Sequence, residues 1–292
     1  MPKILIIGHG FVGQAVDYGF SHPEVETTIV DPKYGTNLDN ISNSVYDYAF
    51  VCVPTPMGVS GAIDSSIIDN TVSQLKDRDI LIVVKSTVTP DIVAETQEID
   101  TWAIWPKNVV YNPEFLTEKS ANEQFVDPAF HILGGEKWAT DKVEELYNKY
   151  SLCSPCPSYH MTREEASFVK YSINTFLAMK VTFFNQLYDV IGDTDANFAT
   201  IIKAVGADDR ISPSHTKVPG FDGKQGFGGA CFPKDVSAFI NYNKQLTLLK
   251  EAAIINNSYR QQYELDEREK QQHVNYGQIK EELKDQDYGY PV

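Results

Sequence analysis

Residues 4–13 read Ile4-Leu5-Ile6-Ile7-Gly8-His9-Gly10-Phe11-Val12-Gly13, an apolar run that passes directly into the pattern Gly-x-Gly-x-x-Gly. Continuous apolar runs of this length are typical of strands buried on both faces. The glycines permit a tight turn and close approach of the backbone to a pyrophosphate, and the N-terminus of the helix predicted next stabilises its charge. This context predicts a dinucleotide-binding unit, and a glycine-rich turn without a cofactor is the alternative.

A second apolar run ends in Val30-Asp31, about 20 residues after the glycine pattern. An acidic residue at this spacing accepts hydrogen bonds from the adenosine ribose and repels a 2′-phosphate. We therefore expect NAD to be preferred over NADP. Lys33 lies close enough in sequence to leave NADP open.

The first half of the chain alternates short apolar runs with segments of helical composition, a pattern that predicts a doubly wound parallel sheet of the α/β class. The predicted strands are Ile4–Ile7, Thr28–Val30, Ala49–Val53, Ile80–Val84, Val109–Tyr111 and Phe130–Leu133. The predicted helices are Val12–Phe20, Ser66–Lys76, Asp91–Ile99 and Trp138–Tyr150. We assign residues 1–159 to a Rossmann-type NAD-binding domain.

Residues 160–292 have a different character and predict a helical domain. Apolar residues recur at helical spacing from about Thr162 to Ile191, and a glycine-rich loop follows at Gly220–Gly229. Further helices are predicted from Asp235 and from about Leu246. The charged segment Glu264–Val292 extends a helix or forms a tail.

Composition limits the partners of the protein. The net charge of −15 argues against general nucleic-acid binding, which needs a basic surface. No apolar stretch is long enough to span a membrane. The N-terminal apolar run is too short for a signal peptide, so we expect a cytoplasmic protein. Four cysteines in 292 residues do not form a disulfide scaffold and suit a reducing compartment.

The most unusual segment is Gly226-Phe227-Gly228-Gly229-Ala230-Cys231-Phe232-Pro233-Lys234-Asp235. Its glycines allow the backbone to approach a ligand closely. Cys231 stands just before a predicted helix, and both a helix N-terminus and the adjacent Lys234 favour a nucleophilic thiolate. A buried, unreactive cysteine beside a tight turn is the alternative.

Polar residues also recur on the predicted helix between residues 162 and 191. Lys170 and Asn174 are separated by about 40° around the helix axis, and Asn185 lies about 60° from Lys170. The three side chains could therefore face one cleft. The alternative is a solvated polar stripe.

The other cysteines carry weaker indications. Cys153 and Cys156 form an isolated Cys-x-x-Cys pair with His160 four residues later. A zinc site needs a second pair of ligands, and a redox pair needs a thioredoxin context, so we expect two free cysteines and no metal. Cys52 lies in a predicted central strand and is expected in the core.

Several motifs in one order resemble the UDP-glucose/GDP-mannose dehydrogenase family, from the glycine pattern to about Tyr259. The motifs are Gly8–Gly13, Val51-Cys52-Val53-Pro54-Thr55-Pro56, Lys85-Ser86-Thr87-Val88, Asn112-Pro113-Glu114-Phe115-Leu116, Lys170-x-x-x-Asn174 and the Cys231 segment. The resemblance implies a four-electron oxidation of a UDP-sugar, such as UDP-glucose to UDP-glucuronate, with two NAD reduced. A cysteine would hold the substrate as a thiohemiacetal and then as a thioester. The resemblance also implies a helical dimerisation domain and a homodimer with a shared site.

The resemblance also implies roles for individual residues. Six would act in catalysis: Cys231, Lys170, Asn174, Asp235, Glu114 and Thr87. The cysteine would be the nucleophile, the lysine and asparagine would hold the reacting oxygen, the aspartate would position water or activate the alcohol, and the glutamate and threonine would line the hydrolytic water. The implied cofactor contacts are Gly8, Gly10, Phe11, Val12, Gly13, Asp31, Lys33, Val53, Pro54, Thr55, Ser86, Thr87, Glu118 and Lys234. The implied substrate contacts are Phe115, Leu116, Thr117, Glu118, Lys170, Asn174, Arg210, Lys217, Phe227 and Gly228, with the arginine reaching a neighbouring subunit.

The chain departs from the family pattern at three places. Ser167 replaces a glutamate, and Thr117 replaces an arginine. No segment matches the family's C-terminal nucleotide-binding domain, so we expect the chain to lack it. Two other functions therefore stay open, a two-electron dehydrogenase of the 3-hydroxyacid type and a truncated nucleotide-binding regulator without turnover.

Overall fold

The computed structural model describes residues 1–41, 45–94, 105–277 and 279. The chain forms two compact units, and each is described by itself. Unit 1 contains residues 1–55 and 64–170, and unit 2 contains residues 56–63 and 171–292. One long helix begins in unit 1 and continues into unit 2.

Unit 1 is built on a seven-stranded sheet with the strand order β2-β1-β3-β4-β5-β6-β7. The strands are β1 Lys3–Ile7, β2 Glu26–Val30, β3 Tyr48–Val51, β4 Leu81–Val84, β5 Val109–Tyr111, β6 His131–Gly134 and β7 Ser158–Met161. The chain order reverses between β1 and β3, which is the point where ligands bind in open α/β sheets. The predicted α/β class with a doubly wound sheet is confirmed.

The sheet differs from the prediction at one edge. The other strand pairs are parallel, but β5 and β6 meet in the antiparallel sense through Tyr111 and Gly134. β7 was not predicted, because its sequence Ser-Tyr-His-Met is polar and partly exposed and so lacks the apolar run of a central strand.

The helices of unit 1 cover the sheet with apolar faces. They are α1 Phe11–Gly19, α2 Ser66–Leu75, α3 Pro90–Val93, α4 Ala121–Val126 and α5 Lys137–Tyr150. In α5 the buried residues Ala139, Val143, Leu146 and Tyr147 recur at helical spacing and join the core of β1, β3 and β4. The predicted helix Asp91–Ile99 overlaps α3, and residues 95–99 lie outside the described residues.

Unit 2 is helical. Its elements are the unit 2 part of α6 Arg163–Gly192, α7 Phe198–Val205, α8 Phe232–Tyr242, α9 Thr247–Arg260 and α10 Glu267–Gln271. The prediction that α8 starts at Asp235 was wrong, because Pro233 suits the first turn of a helix and moves the start back to Phe232. Tyr171 of α6 stacks on Phe239 of α8 at 5.0 Å in the core. In the described part of the chain, no helix combines the length and apolar character needed to cross a membrane.

Candidate active site

The turn after β1 has the geometry of a dinucleotide-binding loop. Gly8 has φ +86°, and a Cβ there would lie 2.6 Å from the Cys52 carbonyl oxygen. A Cβ on Gly13 would lie 2.0 Å from the Gly8 carbonyl oxygen. A Cβ on Gly10, the N-cap of α1, would meet no protein atom within 4 Å. Two glycines are therefore needed by the fold, and the third leaves open space at the helix N-terminus, which fits a pyrophosphate.

Asp31 lies directly after β2 and is held against this turn. Its carboxylate accepts hydrogen bonds from the main-chain N–H of His9 at 2.6 Å and of Lys33 at 2.8 Å. The Lys33 ammonium lies 5.6 Å from the Tyr34 ring centroid. Asp31 is thus fixed beside the glycine turn, where a ribose hydroxyl of NAD would be recognised.

The segments after β3 and β4 come together at neighbouring strand ends. Ser86 donates a hydrogen bond to the Val53 carbonyl at 2.7 Å, and Thr55 donates one to the Thr87 carbonyl at 2.8 Å. Pro54 lies between the two linked residues in sequence. These contacts hold the predicted cofactor-binding loops at the carboxyl edge of the sheet, as an open α/β sheet requires.

Lys170 and Glu114 form a buried pair in unit 1. The Lys170 ammonium lies 3.2 Å from Glu114 Oε1 and also donates to the Glu114 carbonyl oxygen. It lies 5.1 Å from the Phe115 ring centroid as well. Both charged side chains are at most 7% exposed. Burial with a charged partner makes this lysine a positioned cation rather than part of a solvated stripe.

The segment after Glu114 is ordered by local contacts. Glu114 Oε2 accepts a hydrogen bond from the Leu116 N–H at 2.5 Å, and Gln124 Oε1 accepts one from the Thr117 N–H at 2.6 Å. Glu118 begins a short 3₁₀ turn that leads into α4. Ser167, buried on α6, donates to the Val88 carbonyl at 2.7 Å and so joins α6 to the segment after β4.

Cys231 is the N-cap residue of α8. Its carbonyl accepts the hydrogen bond from the Asp235 N–H at 2.9 Å, the first bond of the helix. The thiol therefore stands where the partial positive charge of the helix is concentrated. This placement was predicted from the sequence, although the helix begins three residues earlier than expected.

A buried polar cluster lies one turn into α8. Asn174 donates its amide to Asp235 Oδ2 at 2.7 Å, and the Lys234 ammonium lies 2.6 Å from Asp235 Oδ1. All three residues are at most 7% exposed. The predicted residues Asn174, Lys234 and Asp235 thus form one cluster in unit 2.

The glycine loop before Cys231 is anchored by Asn185, which the sequence analysis grouped with Lys170 and Asn174, and by Asn256 and Glu269, which were not predicted as site residues. Asn185 accepts a hydrogen bond from the Gly226 N–H at 3.0 Å, so its side chain supports this loop. Asn256, fully buried in α9, binds both the N–H and the carbonyl of Phe227, at 2.6 and 3.1 Å. Glu269 accepts a hydrogen bond from the Gly229 N–H at 3.1 Å.

Glu269 belongs to a buried network formed by the C-terminal segment. Its Oε1 also accepts hydrogen bonds from Arg260 at 2.7 Å and from the Tyr276 hydroxyl at 2.6 Å. Burial by itself raises the pKa of Glu269, but these hydrogen bonds and the charge of Arg260 outweigh it and leave the pKa below its usual value. The capping box of Asp266 and Glu269 fixes the short helix α10. In the sequence, the spacing Asp266-x-x-Glu269 is a signal for such a helix start.

The remaining predicted substrate residues lie in different surroundings. Arg210 is exposed and pairs with Asp208 at 2.7 Å. The Lys217 ammonium lies 4.9 Å from the Phe221 ring centroid. The Phe227 side chain lies in the core of unit 2, and a Cβ on Gly228 would overlap the Arg260 guanidinium.

The Cys-x-x-Cys pair is not a disulfide. Cys153 and Cys156 are free, as predicted, and burial raises the pKa of both thiols. His160 instead contacts Glu144 at 3.0 Å and Thr140 at 2.8 Å. Cys52 packs against the core of unit 1, and burial raises the pKa of its thiol to about 12.

Comparison with known proteins assigns both units to one family. Residues 33–151 match the NAD binding domain of the UDP-glucose/GDP-mannose dehydrogenase family, and residues 164–258 match its central domain. A UDP-glucose 6-dehydrogenase from Campylobacter jejuni is 30% identical over 89% of this chain and 73% of its own length. One from Rickettsia felis is 32% identical over 70% of this chain, and the match spans about half of that relative, 46% of its length.

Solved structures agree with this assignment. The structure of a UDP-glucose dehydrogenase from the archaeon Pyrobaculum islandicum matches with a TM-score of 0.72 at 25% sequence identity. The match covers 88% of this chain and 68% of that one. The chain belongs to the UDP-glucose/GDP-mannose dehydrogenase family and carries the NAD-binding and central domains of that family.

Proposed function

We propose that the protein oxidises the primary alcohol of a UDP-sugar, UDP-glucose in the first place, to a carboxylate with reduction of two NAD. The observation that carries the proposal is Cys231 at the N-cap of α8, one turn before the buried Asn174–Asp235–Lys234 cluster. A thiol in this position is favoured as a thiolate nucleophile by the helix terminus.

The proposed reaction consists of two oxidations, with addition of the Cys231 thiolate between them, and a final hydrolysis. NAD, held by the glycine turn and Asp31, would supply the hydride acceptor for both oxidations. The alcohol first loses a hydride and a proton to become an aldehyde, and the Cys231 thiolate adds to it to form a thiohemiacetal. Loss of a second hydride and proton gives a thioester. Water then displaces the thiolate and releases the carboxylate, so two NAD and one water are consumed for each product.

The buried polar residues have distinct proposed roles. Lys170, a positioned cation, stabilises negative charge on the reacting oxygen, and Glu114 fixes the lysine and faces the hydrolytic water. Asn174 is assigned a hydrogen bond to the substrate through its side-chain amide. Asp235, paired with Lys234, accepts the alcohol proton or orients water.

The test is NADH formation from UDP-glucose and from GDP-mannose, followed by absorbance. We expect two NADH for each sugar nucleotide consumed. Cys231→Ser should lower the rate by on the order of 10⁴, because the nucleophile is lost. Cys156→Ser, a second free cysteine, is the matched control and should keep the wild-type rate.

Two outcomes would reject this function. One NADH per substrate, with no effect of Cys231→Ser, would indicate a two-electron dehydrogenase. Binding of NAD in a calorimeter without turnover of either sugar nucleotide would indicate a nucleotide-binding regulator.

We further propose that the helical unit forms a homodimer along α6. Phe176, Phe183 and Val190 repeat every seven residues on one face of α6 and are 62%, 60% and 64% exposed. An exposed apolar stripe of this kind is typical of a protein interface. Arg210 is also exposed and is available to a neighbouring subunit.

The dimer is tested by light scattering after size-exclusion chromatography. We expect a mass of twice 32.8 kDa for the wild type and a shift toward the monomer for Phe176→Ser combined with Phe183→Ser. Leu248→Ser changes an equally exposed apolar side chain on α9 and should leave the mass unchanged. A monomeric wild type would contradict the proposal.

A further inference from the structure

A cavity of about 280 Å³ lies in unit 1 between the segments Pro113–Leu116 and Pro128–His131. Its volume approaches that of pockets that hold small organic molecules. The rings of Phe115 and Phe130 meet edge to face along it, with centroids 5.3 Å apart. The cavity therefore has walls suited to a flat apolar body.

Lys85 also lines this cavity and is only 5% exposed. Its ammonium donates one hydrogen bond, to Asn112 Oδ1 at 2.9 Å, and that oxygen is shared with the Tyr147 hydroxyl at 2.8 Å. Within residues 1–41, 45–94, 105–277 and 279, no carboxylate forms an ion pair with Lys85. The ammonium also lies 5.8 Å from the centroid of the Phe125 ring, which lines the same cavity. An ammonium has three N–H donors, so one hydrogen bond and this ring contact leave donor capacity beside the cavity.

The other titratable groups around Lys85 do not neutralise it. Burial raises the pKa of Cys52 to about 12 and also raises that of Cys153, so both thiols are uncharged at neutral pH. Two carboxylates also line the cavity. The Glu114 carboxylate is bound by Lys170 and by the Leu116 N–H, and Asp127 is an exposed residue of the cavity wall.

The neighbouring aromatic groups are uncharged as well. His131 stacks on Tyr147 at 4.2 Å, and burial lowers its pKa to about 4. Burial keeps the pKa of Tyr147 well above its usual value. The imidazole and the phenol are therefore both neutral at pH 7, and Lys85 supplies the positive charge on this side of the cavity.

We propose that this cavity is a binding site for a small aromatic carboxylate, whose ring packs against the paired Phe115 and Phe130 side chains and whose carboxylate meets the Lys85 ammonium. A carboxylate accepts charge-assisted hydrogen bonds from the remaining donors of Lys85 and compensates its buried charge. The cavity wall includes Glu114 and the implied substrate contacts Phe115 and Leu116, but binding of the carboxylate requires neither Cys231 nor a sugar nucleotide.

Binding of benzoate to the full chain, measured by calorimetry and by ligand-observed NMR, tests the proposal. Benzamide has the same shape without the charge and should bind at least tenfold more weakly. Burial lowers the pKa of Lys85 to about 8, so the protonated fraction falls about tenfold between pH 7 and pH 9. We expect the apparent affinity for benzoate to fall by a similar factor over this range.

Variants locate the site. Lys85→Gln should abolish benzoate binding, whereas Lys137→Gln, at an exposed lysine of α5, should leave it unchanged. Equal binding of benzoate and benzamide, an affinity that is constant from pH 7 to 9, or no binding of benzoate would overturn the proposal. If Lys85→Gln does not fold, the proposal is judged on the wild-type protein by the comparison of benzoate with benzamide and by the series of affinities from pH 7 to 9.

Discussion

Removal of the Glu269 charge should loosen the loop that carries Cys231. Glu269→Gln keeps the size of the side chain but leaves the Arg260 guanidinium, 1% exposed, without one of its two carboxylate partners. Breaking a buried ion pair by removing one partner costs about 3–5 kcal/mol. Arg260 retains Asp222 at 2.7 Å, so we expect the lower end, about 3 kcal/mol.

Hydrogen exchange of the peptide that covers residues 226–234 measures the lost stability in the loop itself, because Gly229 in this peptide donates its N–H to Glu269. A loss of about 3 kcal/mol corresponds to roughly 100-fold faster exchange when the loop opens locally. Alkylation of Cys231 should accelerate in parallel. Glu267→Gln, on the same helix but in an exposed pair with Lys270, is the matched control and should change stability by less than about 0.5 kcal/mol.

The same variant predicts a dependence on pH. The pKa of Glu269 in the folded protein lies below its unfolded value near 4.5, so the carboxylate stabilises the fold above that pH and loses this effect as the pH falls through the folded pKa. The difference between wild type and Glu269→Gln should therefore be full at pH 7 and shrink below about pH 4.5. Equal exchange rates for the wild type, Glu269→Gln and Glu267→Gln at pH 7 would refute the reasoning.

Two further substitutions follow from the geometry. Gly13→Ala should lower the free energy of unfolding of unit 1 by about 1–3 kcal/mol, measured by thermal unfolding, because its Cβ would lie 2.0 Å from a main-chain oxygen. Gly10→Ala, whose Cβ meets no protein atom, should fold normally and lose affinity for NAD in a binding titration. Unchanged stability of Gly13→Ala would contradict this. Asn256→Ala leaves the N–H and the carbonyl of Phe227 without their partner. We therefore expect the free energy of local opening of the loop, measured by hydrogen exchange, to fall by about 2–4 kcal/mol. The exposed Ser258→Ala is the control and should leave it unchanged.

The nucleotide-binding half of the fold could be predicted because its information is local. The glycine pattern restricts the turn after β1, and continuous apolar runs identify the central strands. β7 was missed because a partly exposed edge strand has no such run. α7, with Asn197 as its N-cap, was missed because its eight residues form only about two turns, too few for an apolar pattern to repeat along the chain.

Part of the candidate site was also predictable. The position of Cys231 before a helix and the shared face of Lys170 and Asn174 follow from sequence spacing and helix geometry. The hydrogen-bond partners of Lys170 and Asn174 cannot be read from sequence spacing. Glu114 lies 56 residues from Lys170, and Asp235 lies 61 residues from Asn174, so only folding brings each pair within hydrogen-bonding distance.

The dinucleotide turn, the alternation of strands and helices and the cysteine at a helix start could all be predicted before folding was considered, because they depend on residues close together in the chain. Tertiary contacts, by contrast, were needed to show that the described part of the charged segment, residues 264–277, is not simply a tail. There Glu269 is buried against Arg260 and holds the Gly229 N–H. A charge pattern cannot distinguish a solvated carboxylate from a buried one, because burial depends on a cation and an amide that the fold brings from elsewhere in the chain.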